Sequence, residues 1–171
     1  MAVLPIRTYP EAVLRQPAQL VVTFDDALQR LIDDMIETMY AAPGIGLAAP
    51  QVGLSLQVFV VDVTGGKDAQ ALRTFINPEM LHLEGRTRAD EGCLSVPGMF
   101  GSTPRSDKAV IRGMNRVGET VEVAGEGLLA RAFQHEMDHL VGKLFFDRMG
   151  LVGRDLMKRK YKRAQRQGHN H

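Results

Sequence analysis

The sequence predicts an α+β fold: short, mostly antiparallel strands around one central helix, with an N-terminal amphipathic helix and a C-terminal helix. Three observations carry that expectation. Apolar residues fall at helical spacing near both ends of the chain, the Val-rich stretches between them are short, and turn residues separate those stretches.

The first helix starts near Thr23, read as the N-cap, with Asp25 and Asp26 in the first turn, where they complement the helix dipole. Leu28, Leu31, Ile32, Met35, Ile36 and Met39 follow at i, i+3, i+4, i+7. The helix should reach about Tyr40 and stop before Pro43-Gly44. Gly44-Ile45-Gly46-Leu47-Ala48-Ala49-Pro50-Gln51 suits neither helix nor strand. Leu56 to Val63 reads as a buried strand. Phe75-Ile76 and Met80 to Leu83 read as short strands broken at Asn77-Pro78. Val110 to Met114 and Thr120 to Val123 form a hairpin through Arg116-Val117-Gly118. Gly127 to Val141 returns to helix with Gly142 as its stop, and a last basic helix covers Arg154 to Gln167.

Composition excludes several classes of function. The chain of 171 residues carries 21 basic and 20 acidic side chains, a net charge of +1, so no global field favours DNA or a membrane surface. The lone cysteine, Cys93, forms no disulfide within the chain and suits a reducing compartment. Met1 to Ala18 lacks a signal-peptide core, and no apolar run reaches the ~20 residues a spanning helix needs. A cytoplasmic protein is expected.

The strongest chemical signal is His135-Glu136-Met137-Asp138-His139 on the predicted helix. At about 100° per residue, His139 lies about 40° around from His135 and one turn along, so both imidazoles can hold one ion. Glu136 falls in the same wedge, where a carboxylate reaches a water at that ion without being a ligand. Lone histidines are mostly packing or surface residues, but Leu128, Leu129, Ala132, Phe133 and Leu140 beside this pattern give it an amphipathic setting. An open site needs a third ligand. Thermolysin-type proteases take it from a later Glu, and no Glu follows Glu136. Metzincins take it from a His where this chain has Phe145. The tail histidines His169 and His171 are expected to be solvated. Cys93, in Glu91-Gly92-Cys93-Leu94-Ser95, is the remaining good candidate. Alone it would read as a small buried hydrophobe.

Three segments together resemble the peptide deformylases: Gly44-Ile45-Gly46-Leu47-Ala48-Ala49-Pro50-Gln51, Glu91-Gly92-Cys93-Leu94-Ser95, and Gln134-His135-Glu136-Met137-Asp138-His139-Leu140. The resemblance runs from about Pro5 to Met149. It implies a catalytic domain over residues 1–150, with 151–171 as a basic helix and tail of the same domain. It implies removal of the formyl group from N-formylmethionyl nascent peptides, releasing formate. One divalent ion, Fe2+ in the cell and replaceable by Ni2+, Co2+ or Zn2+, would be held by Cys93, His135 and His139. Gln51 and the Leu94 backbone N–H would donate to the formyl oxygen, and Glu136 would carry the proton from water to the leaving amine. Gly44, Gly46 and Gly92 would give a strand-like substrate unobstructed backbone, and Ile45, Leu128 and Ala132 would line the methionine pocket, with plain core packing as the alternative for each.

Arg105 matches an arginine of the family that pairs with Glu91. Ala89, Phe100 and Arg131 depart from the commonest pattern and are expected at the pocket rim, where they bear on subsite preference. The tail from Lys158 to Arg166 has two readings, a solvated helix face and a ribosome contact. Two other functions compete: a pseudoenzyme that binds N-terminal methionine, which loss of Gln51, Cys93 or Glu136 would have suggested, and a metal-dependent peptidase.

Overall fold

The computed structural model describes residues 2–169, the last two of them by backbone alone, so the tail histidine side chains lie outside the described residues. Helix α1 spans Asp26–Ala41 and is capped by Asp25, whose carboxylate accepts from Leu28 N at 3.0 Å. The expected cap at Thr23 is therefore corrected: Asp25 has the N-terminal amides in reach and also brings charge to the dipole. The predicted apolar stripe is buried apart from the half-buried Ile36, with Ile32, Met35 and Met39 fully so.

Five strands form one antiparallel sheet in the order β1-β2-β3-β6-β7: Gly46–Ala48, Val58–Val61, Arg73–Glu84, Lys108–Met114 and Thr120–Glu126. β2 is shorter than expected. Asp62 ends it by accepting from the backbone amides of Thr64 and Gly66, which draws the chain into a turn. β3 is one strand where two were expected. Its ladder bulges between Ile76 and Glu79, and Asn77 takes φ 52°, so Pro78 sits where no ladder donor is needed. Asn77 repays the irregularity by bonding the backbone of Val21 through both ends of its amide, at 2.8 and 2.9 Å.

Helix α2, Leu128–Leu140, follows Gly127 and stops short of Gly142, whose φ is 79°. It lies on the sheet through Ala130, Ala132 and Phe133, which pack with Phe59, Phe75 and Ile111. Phe75 and Phe133 meet edge to face at 5.4 Å between centroids. Gly125 permits the approach, because a Cβ there would sit 3.0 Å from Leu129 and Phe133.

Strands β4 (Thr87–Cys93) and β5 (Val96–Arg105) form a separate two-stranded hairpin that the sequence did not reveal. The last helix, α3, runs Leu151–His169, starting earlier than expected. Met157 and Tyr161 anchor it against Phe145, Phe146 and Val96. Among the described residues no helix is long and apolar enough to cross a membrane.

Candidate active site

Two elements distant in the chain build the site. The hairpin delivers Cys93 from the end of β4, and α2 delivers His135 and His139 one turn apart. Their ligand atoms all lie within 4.8 Å of one another. Cys93 Sγ is 3.4 Å from His139 Nε2, which is 3.2 Å from His135 Nε2. Donors bound tetrahedrally at ~2.0–2.3 Å stand roughly 3.3–3.7 Å apart, so this spacing suits a single ion. The surroundings fit a cation too. Cys93 Sγ accepts from Ser95 N at 3.4 Å and from Gln51 Nε2 at 3.5 Å, which suits an anionic sulfur.

Glu91 orients His135, its Oε1 lying 2.6 Å from Nδ1. Burial alone would lift the Glu91 carboxyl, but the bonds to His135 and Arg105 hold it well below the usual carboxylate range. An ionised Glu91 keeps the proton on Nδ1 and leaves the Nε2 lone pair for a metal. Arg105 grips Glu91 through Nε and Nη2 at 3.0 and 2.7 Å. Its Nη1 donates to Asp138 at 2.6 Å, and Asp138 also accepts from Arg148. Arg131 lines the cleft, but its guanidinium turns inward. It is buried, and its Nη1 donates to Glu91 Oε2 at 2.7 Å and to Thr103 O at 2.9 Å. An arginine on the inner stripe of a helix needs such a buried anion, and Glu91 supplies it. The support from Asp138 and Arg148 was missed by sequence reasoning, although Asp138 stands inside the helical motif itself.

Gln51 lies in a 3-10 turn, Ala49–Val52, after β1. Its Oε1 accepts from Ala48 N at 2.9 Å, which fixes the amide so that Nε2 faces Cys93 and Ser95 Oγ, the latter at 3.1 Å. Glu136 is buried beside the histidines, its Oε1 4.0 Å from His139 Nε2 and its Oε2 without a protein partner among the described residues. Burial raises its pKa to about 7, with Glu91 adding to the shift and His135 opposing it. Such a carboxyl can take or give a proton near neutrality.

The cleft above these groups encloses about 530 Å³. Gly44, Ile45, Gly46, Gly92, Leu94, Leu128 and Ala132 all line it, so every residue expected to touch substrate is at its wall. All three glycines already have close neighbours. A Cβ on Gly44 would meet Leu94 Cδ1 at 2.9 Å, and one on Gly92 would meet the Phe100 ring at 2.5 Å. Phe100 is the cross-strand partner of Gly92, lines the cleft and is 68% exposed, so it does stand at the rim, whereas Ala89 is exposed on β4 and is not among the residues that line the cleft.

Comparison with known proteins agrees with this geometry. A family model described as polypeptide deformylase matches residues 3–155. The chain is 50% identical to a peptide deformylase of Syntrophobacter fumaroxidans, over 95% of this chain and 96% of that one. It is 46% identical to one of Acidobacterium capsulatum, over 98% and 99%. The crystal structure of a Legionella pneumophila peptide deformylase superposes with a TM-score of 0.92 at 42% identity, covering 99% of both chains. That of the Synechococcus elongatus enzyme in complex with actinonin gives 0.86 at 38% identity, covering 92% of this chain and 86% of that one. With fold, motif order and nearly full-length identity in agreement, the chain belongs to the peptide deformylase family.

Proposed function

We propose that this cleft removes the N-formyl group from the start of nascent polypeptides, with Cys93, His135 and His139 as the metal ligands. The observation that carries the reading is the convergence of one sulfur and two Nε2 atoms beside a cleft that Cys93 and His135 line. When bound, a divalent ion supplies a Lewis acid and makes a water acidic enough to ionise near neutrality. The side chains do the rest. Ile45, Leu128 and Ala132 hold the methionine side chain, and Gly44, Gly46 and Gly92 offer backbone to a peptide lying as an added strand. Gln51 Nε2 and Leu94 N–H donate to the formyl oxygen as charge builds on it, one such donor being worth ~2.7–4 kcal/mol of barrier. Glu136 takes the proton from water and delivers it to the departing amine.

Fe2+ is the ion we assign in the cell, with Ni2+, Co2+ or Zn2+ able to replace it, since a thiolate and two imidazoles accept each of these. The enzyme is assigned to the cytoplasm, where its substrates emerge. Residues 1–150 are read as the catalytic domain and 151–171 as its basic tail. Arg159, Lys162 and Arg166 recur along one exposed side of α3 and suit a contact with the ribosome. Reversing these three charges should weaken co-sedimentation with ribosomes at low salt.

Formate release from formyl-Met-Ala-Ser by anaerobically purified enzyme, with metal content measured on the same sample, tests the main reading. Formate with an intact Met-Ala-Ser product is expected. Cleavage between the amino acids would assign a peptidase instead, and binding without turnover a pseudoenzyme.

A further inference from the structure

A second cavity adjoins the active-site cleft at Phe100. Gly98, Met99 and Phe100 wall the outer end of the cleft, and the same three residues wall this second groove of about 360 Å³, whose far side is α3. Helical spacing places Met157, Lys160, Ala164 and Gln167 on the helix face that lines this groove, with Arg163 beside them. Met157 is buried, while Lys160 and Arg163 are exposed. Among the described residues no acidic side chain lines the groove. Neither Lys160 nor Arg163 is paired with a carboxylate among the described residues. At Gly98, which borders both cavities, a Cβ would meet nothing within 4 Å.

We infer that this groove is a subsite for the downstream residues of the formylated peptide, taking acidic side chains against Lys160 and Arg163. The inference rests on the deformylase reading, because that reading puts the formyl end at Cys93 and sends the rest of the peptide along the cleft. An extended chain advances ~3.3 Å per residue, so a short distance past the methionine brings it to the threshold formed by Phe100. Beyond that threshold the only charges lining the walls among the described residues are positive. Met99 and Met157 give the stems of long acidic residues an apolar floor.

The test compares formyl-Met-Ala-Ser extended by three glutamates with the same peptide extended by three lysines, both amidated at the C-terminus. Each rate is divided by the same enzyme's rate on formyl-Met-Ala-Ser amide. Wild-type kcat/KM should favour the glutamate peptide by about fivefold at low salt, through KM. That preference should shrink at ~0.5 M salt, where the screening length falls to a few ångströms. In the double variant Lys160→Glu, Arg163→Glu the preference should reverse. A wild-type ratio near one, or a ratio that survives the charge reversal, overturns the subsite. The wild-type ratio and its salt dependence decide the matter even if the double variant folds poorly. Absence of formate from the short amide would instead overturn the deformylase reading.

Discussion

The carboxylate of Glu136 rests on the backbone of Gly46, so close that a Cβ at position 46 would meet Cδ and Oε2 at 3.0 Å. A strand residue on one side of the cleft thereby sets the position of the proposed proton carrier on the other. Gly46→Ala must push that carboxylate aside, and misplacement by ~1 Å can cost about 100-fold in rate. We expect kcat to fall by roughly tenfold or more with the metal content unchanged, measured by formate release and elemental analysis. An unaltered kcat would mean that Glu136 does not need this position.

Glu136→Ala should keep the metal and lose about 100- to 10,000-fold in kcat, the usual contribution of a positioned general base. Cys93→Ala should lose metal and turnover together. An active Glu136→Ala enzyme would remove Glu136 from proton transfer.

Arg131→Leu strips Glu91 of one of its two arginines and leaves Thr103 O without that donor. Unfolding in urea should show a loss of roughly 1–3 kcal/mol. With Glu91 less firmly held, His135 is less well oriented, and metal affinity should fall by about tenfold in competition with a chelator. Stability and affinity both equal to wild type would sink this role for the buried arginine.

Asp62 offers a pH test away from the metal. Burial works against its charge, yet the hydrogen bonds from Thr64, Tyr40 and Gly66 pull its pKa below the ordinary value. Its ionised form therefore stabilises the fold above about pH 4, and that contribution fades as pH falls through the folded pKa. Asp62→Asn should unfold at lower urea than wild type at pH 7, with the gap narrowing between about pH 5 and pH 3. Tyr40 runs the other way. Burial and its 2.5 Å bond to Asp62 raise its pKa to about 12, so its contribution holds below pH 10 and is lost as pH climbs toward 12. A gap for Asp62→Asn that stays constant from pH 7 to pH 3 would contradict the charge assignment.

The helices were legible because their buried stripes repeat with the turn of the backbone, and the two histidines come with them. Cys93 required more. Its helical partners named a missing ligand, and only the three-motif resemblance fixed which residue supplied it. The β4–β5 hairpin escaped notice because its burial does not alternate and because Pro97, Gly98, Gly101 and Pro104 interrupt any strand pattern. Its cohesion comes partly from Glu91 gripping Arg105 across the strands, a pairing no local period records. The pairing of Arg131 with Glu91 escaped notice for a related reason. The buried anion lies 40 positions away in the chain.

That hairpin stands apart from the main sheet, with few buried side chains of its own. Cys93 at its tip lies 46 positions from His139, so an ion shared between them works as a clasp across a long loop. Chelation should then unfasten this flap before anything else, with its amides exchanging hydrogen sooner than those of α2. Occupancy of the site and integrity of the substrate channel are in that sense one and the same equilibrium.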